Sequence, residues 1–95
     1  MIEVKEFDKL VESLGCTIDH GYTSIAYSNY THRQIAFYDW NNGHARLLKL
    51  DRYFSMSGID FYNLESFKKA LLDELCNRKM FMVKLKKESI MRDFI

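Results

Sequence analysis

Between Tyr22 and Phe54 the chain is apolar and aromatic on both phases of a period-two pattern, and this limits what it can fold into. A sheet with one face packed and one face wet alternates apolar with polar residues. Here one phase collects Ile25, Tyr27, Ile35, Phe37, Leu48 and Leu50. The other collects Tyr22, Ala26, Ala36, Tyr38, Trp40, Leu47 and Tyr53. One face therefore needs a core, and the other needs a second cover or a partner.

The run divides into three strands, Tyr22–Ser28, Arg33–Trp40 and Ala45–Phe54. Ser28 to His32 supplies a polar turn. Asn41-Asn42-Gly43-His44 is a hairpin signal, because Asn and Gly tolerate the positive φ of tight turns. Short connections imply an antiparallel meander, and Cys16–Asp19 adds a short extension ahead of the His20-Gly21 break.

Before the strands, Val4, Phe7, Leu10, Val11 and Leu14 recur at helical spacing, with Gly15 where a helix-ending glycine belongs. The spacing predicts a helix over residues 3–14. After them, Ser55–Tyr62 reads as a loop and Asn63 as the N-cap of a second helix. Leu64, Phe67, Leu71 and Leu75 form its stripe, and it is expected to end near Asn77. In the tail, Phe81, Val83 and Leu85 alternate as in a strand, with Ile90, Met91 and Phe94 suited to a closing helical turn; a single helix from about residue 80 fits nearly as well. The expected class is α+β. A three- to four-stranded antiparallel meander is flanked by two helices, in the order α-β-β-β-α followed by strand or helix.

Ninety-five residues suit one compact domain, 1–95, with a modest core. No proline and four glycines leave no linker-like stretch. The charged N-terminus is unlike a secretory signal, and no apolar run approaches membrane-spanning length, so a cytoplasmic protein is expected. Cys16 and Cys76 have neither zinc-site nor disulfide-framework spacing and read as reduced thiols. The net charge of +1 conceals polarity: residues 1–44 hold three basic against six acidic residues, and residues 45–95 hold eleven against seven.

Catalytic and metal motifs find no foothold. His20, His32 and His44 are evenly spaced, yet successive meander turns lie at opposite ends of a sheet, so His32 is parted from the other two. Asp19 beside His20, and Asp39 across a turn from His44, are carboxylate–imidazole pairs of the kind that more often cap turns than catalyse. No nucleophile elbow, phosphate-cradling glycine loop or dinucleotide fingerprint occurs. No cofactor is expected, and non-covalent binding is the reading rather than enzymatic activity.

The aromatic phase is the sharper signal. Tyr22, Tyr38, Trp40 and Tyr53, with Lys49 among them, are residue types that dominate binding hot spots. The apolar tail, a second copy in a homodimer or a protein partner could each cover that face. The function expected is a small intracellular interaction module acting on another protein, as phage and mobile-element inhibitors of host proteins do. A nucleic-acid-binding module is the second reading, with Lys68, Lys69, Lys79, Lys86 and Lys87 contacting phosphates.

The element order over about residues 3–77 resembles that of double-stranded-RNA-binding domains. That family carries a Gly-Pro-x-His loop between its first two strands, and this chain has no proline. Its second helix opens on Lys-Lys-x-Ala-Lys, to which Lys68-Lys69-Ala70 is the nearest approach. The resemblance implies recognition of RNA by shape.

Overall fold

The computed structural model describes residues 1–51 and 55–93, with side chains as far as Lys84. The chain runs α1 (Val4–Ser13), β1 (Thr17–His20), β2 (Ser24–Tyr27), β3 (Gln34–Asp39), β4 (His44–Leu50), β5 (Met56–Phe61) and α2 (Leu64–Asp93). The strands form one antiparallel sheet in sequence order.

The class is α+β, as the sequence suggests, but the sheet has five strands rather than three or four. The Cys16–Asp19 extension is a full edge strand, β1, paired with β2 from Thr17 opposite Tyr27 to His20 opposite Ser24. The expected loop Ser55–Tyr62 contains the other edge strand, β5. No strand follows α2 among the described residues: the helix passes Asn77 and continues to Asp93. Five consecutive strands also remove the element order shared with double-stranded-RNA-binding domains. The end of the expected third strand, Arg52–Phe54, lies outside the described residues.

Both helices pack on the face that carries Ala26, Ala36, Tyr38, Ala45 and Leu47. This is the aromatic phase, so the expected assignment of covered and open faces is reversed. The reason is volume. Three alanines at adjoining positions on β2, β3 and β4 leave room for Phe7 and Val11 of α1 and for Phe67, Leu71 and Leu75 of α2. Phe7 stacks on Phe67 with centroids 5.6 Å apart and meets Tyr38 at 5.9 Å. Burying each such ring contributes about 1.5–3 kcal/mol.

A register shift beside Ala26 and Tyr27 leaves Ile35 without a partner on β2. Ile35 and Ala36, neighbours in sequence, are both fully buried in the one core. Such a bulge turns an otherwise opposite-facing residue inward. Of the other residues in that phase, Ile25, Tyr27, Phe37 and Leu48 are half-buried, whereas Leu50, whose backbone bonds to Glu74 and Asn77 of α2, is buried.

The long α2 is fastened where its apolar stripe ends. Arg78, wholly buried, pairs through Nε with Glu74 Oε1 at 3.3 Å, and donates to Thr31 Oγ1 at 3.2 Å and to the Leu48 carbonyl at 2.8 Å. Glu74 Oε1 accepts from the Leu50 amide at 3.1 Å, and Asn77 donates to the Leu50 carbonyl at 3.1 Å. One ion pair thus satisfies β4 backbone groups while locking the helix across the sheet.

Candidate functional site

The β1–β2 turn, the end of β3 and the start of α1 meet at one end of the sheet. His20 and Ser24 close the β1–β2 pair, which places Gly21, Tyr22 and Thr23 at the turn. Thr23 Oγ1 hydrogen-bonds to the Tyr38 carbonyl, tying that turn to β3. The Ile2 amide donates to the Gly43 carbonyl at 2.9 Å, which brings the N-terminal segment alongside the β3–β4 turn. Gly43 takes φ +64° in that turn, as the hairpin signal requires.

These anchors enclose an open crevice of about 360 Å³ whose walls include Val4, His20, Tyr22, Tyr38 and Trp40. Tyr22 is 93% exposed and Trp40 57% exposed. Tyr38 is only 7% exposed, and its hydroxyl donates to the Ile2 carbonyl at 2.7 Å. Burial pushes the Tyr38 phenol above its usual pKa, and the negative charges of Glu3, Asp39 and Glu6 push it further.

Two histidines brace this end. His20 Nε2 lies 3.3 Å from Asp8 Oδ2 of α1, so its partner is Asp8 and not the adjacent Asp19. His44 is buried, with Nε2 3.2 Å from Asp60 Oδ1 and 3.8 Å from Asp39 Oδ2. Carboxylates only accept, so Nε2 is the donor to them, and the buried Nδ1 has no hydrogen-bond partner among the described residues. Tyr62 packs on the ring at 4.9 Å. This arrangement ties β3, β4 and β5 together beneath the Trp40 turn.

Of the residues singled out from sequence for partner binding, Tyr22 and Trp40 converge here. Tyr38 joins them as a buried wall and is not a free binding residue. Lys49 is exposed on β4 opposite Ser57, toward the other end of the sheet, and Tyr53 lies outside the described residues. Val4 and His20 were not foreseen. Val4 reads as a core position by spacing, yet it falls on the first turn of α1, is 40% exposed and lines the crevice.

The basic candidates are elsewhere. Lys68 and Lys69 are exposed near the start of α2, beside an open hollow of about 460 Å³ shared with Glu65 and Leu72. Lys79 borders a separate hollow of about 320 Å³ with Tyr30 and Val83. Eleven residues are three turns plus about 20°, so Lys68 and Lys79 share a row roughly 16 Å apart. Lys86 and Lys87 lie on α2, and their side chains are outside the described residues. Arg78, from the same basic stretch, is in the core.

Among the described residues no helix is long and apolar enough to cross a membrane. No protein-family model, curated protein or solved structure matches the chain.

Proposed function

We propose that the protein is a small interaction module that binds another protein through the crevice between Tyr22 and Trp40. The observation that supports this reading is the exposure of two large aromatics on braced turns, 93% for Tyr22 and 57% for Trp40. Tyr and Trp side chains have only two χ angles, so they lose little conformational entropy on binding and contribute much contact area. The mode is non-covalent occupation of a partner's surface in the cytoplasm. Inhibitors of host proteins encoded by phages and mobile elements act in this way, and that is the role we assign.

The test is capture from a lysate of the source cell by the wild-type chain and by a Tyr22→Ala/Trp40→Ala variant of equal stability. The expected result is a stoichiometric protein that resists nuclease and is lost with the variant. Retention of that protein by the variant overturns the assignment of the crevice.

A second reading, nucleic-acid binding, is favoured by the shared row of Lys68 and Lys79 on the outer side of α2. Leu72 and Val83 interrupt that side, and Glu65 borders it. This reading requires affinity to fall steeply with salt and with Lys68→Ala/Lys79→Ala, while Trp40→Ala leaves it unchanged.

A further inference from the structure

We infer that the protein forms a homodimer in which β5 pairs antiparallel with β5 of a second copy, two-fold about Ile59, so that two five-stranded sheets become one.

The argument starts from an edge without the usual protection. β5 closes the sheet on one side, and among the described residues no strand pairs with its outer edge. Such an edge presents unpaired N–H and C=O groups that template another strand, and natural edges are kept short, bulged, or studded with lysine or proline. The six residues of β5, Met56–Phe61, keep register with β4 without a shift, from Leu50 opposite Met56 to Ala45 opposite Phe61. They include no lysine or proline, and their one charge, Asp60, is paired with Arg46 at 3.2 Å. The other edge, β1, is only four residues long, and its last residue, His20, is engaged by Asp8 of α1.

What selects a second copy is the symmetry of the exposed side chains. Met56, Ile59 and Tyr62 are 42%, 40% and 58% exposed. Met56 and Tyr62 stand three residues either side of Ile59. A two-fold axis through Ile59, normal to the sheet, sets Ile59 against its own mate and each Met56 against Tyr62 of the other copy. Directly opposite residues must share a face, and positions an even number apart on one strand do so. One operation thus covers all three groups on both copies, which is the self-complementarity that an isologous interface requires.

The charges fit the same register. Gly58 then stands opposite Asp60 of the second copy, on the face away from the helices. Arg46 lies across Gly58, where a Cβ would stand 2.5 Å from its Nε. No side chain separates the guanidinium from the added strand, so each Arg46 bridges its own Asp60 and that of the second copy.

The helices leave room for this pairing. α2 is bonded to Leu48 and Leu50 of β4. The two β4 strands would lie three strand spacings apart, about 14 Å, whereas packed helices need only about 8–10 Å. The crevice is lined by no residue of β4 or β5, so each copy keeps its own open.

Sedimentation equilibrium of the full chain is the test. The expected result is a concentration-dependent rise toward twice the chain mass of 11.3 kDa. Ile59→Lys sets two like charges opposite each other at the axis and should weaken dimerisation about tenfold or more, with unchanged circular dichroism. A short bismaleimide reads the register in a Cys76→Ser background. Ile59→Cys should be joined to its mate, and Met56→Cys should not, because the two Met56 positions lie about 20 Å apart along the seam.

A chain that stays monomeric up to about 1 mM overturns the inference. So does a dimer indifferent to Ile59→Lys, or one cross-linked through Met56→Cys and not through Ile59→Cys. Tyr22→Ala/Trp40→Ala should dimerise as the wild type does; its loss of dimerisation would put the interface at the crevice and overturn the pairing of β5. Capture of a partner by the crevice is read separately, so either result can fail without the other.

Discussion

Arg78 Nη2 donates to the carbonyl of Leu48 at 2.8 Å, and so a fully buried cation on α2 completes the hydrogen bonding of a strand on which the helix lies. Glu74 neutralises that cation one helical turn earlier. Removing one partner of such a pair leaves the other buried without compensation and costs about 3–5 kcal/mol. Arg78→Ala is therefore expected to lose about that much in urea-unfolding stability, a large share of the total for a domain of this size. A loss below about 1 kcal/mol would show that the guanidinium reaches water.

Tyr38 and Trp40 are two residues apart, but their roles separate. Tyr38→Ala removes a core ring and is expected to cost about 3–5 kcal/mol. Tyr38→Phe removes only the bond to the Ile2 carbonyl, at about 1–2 kcal/mol. Trp40→Ala should cost about 1 kcal/mol or less while abolishing partner capture. Thermal melts of the three variants give the order, and a Trp40→Ala loss equal to that of Tyr38→Ala would place Trp40 in the core.

How much of this was legible in sequence differs by element. The first helix and its Gly15 stop were readable because Phe7 and Val11 keep helical spacing and Gly15 takes φ +86°. The hairpin at Asn41–His44 was readable from its turn residues. β5 was not. Met56, Ser57, Gly58, Ile59 and Asp60 are all exposed, so burial imposes no alternation on an edge strand supported from one side. Gly58 has its own reason: a Cβ there would stand 2.5 Å from Arg46 Nε, which reaches across to Asp60 at 3.2 Å. The crevice was half readable. Tyr22 and Trp40 carry the signal, but period-two counting put Tyr22 in a strand when it belongs to a turn. It also joined both residues to Tyr38, which faces the core.

The tail is the clearest case of pattern against propensity. Phe81, Val83 and Leu85 alternate, yet Met, Leu, Lys and Glu around them favour helix and no breaker intervenes. Lys84→Pro removes the amide that bonds to residue 80 and clashes with that carbonyl. Its far-ultraviolet helical signal is expected to fall, while the near-ultraviolet spectrum of the core rings stays, because Phe67, Leu71 and Leu75 all lie well before the break. An unchanged helical signal would mean that residues 80–93 are not helical.

Two buried acids set the response to alkali. Burial raises the Cys16 thiol above its ordinary 9.0, partly opposed by the positive charge of Arg78. Burial raises the Tyr38 phenol above its ordinary 10.0, reinforced by Glu3, Asp39 and Glu6. In the unfolded chain both ionise first, so above these values the unfolded state binds fewer protons than the native one. By linkage, stability then falls as pH rises. The contribution is complete below about pH 9 and declines through the folded pKa values, by at most about 1.4 kcal/mol per pH unit for each group. Urea midpoints from pH 7 to 10.5 should be flat at first and then fall. Cys16→Ala is expected to remove the earlier part of the decline and Tyr38→Phe the later part. A decline that survives both substitutions would have to come from other groups, and neither the thiol nor the phenol would then be held neutral by the fold.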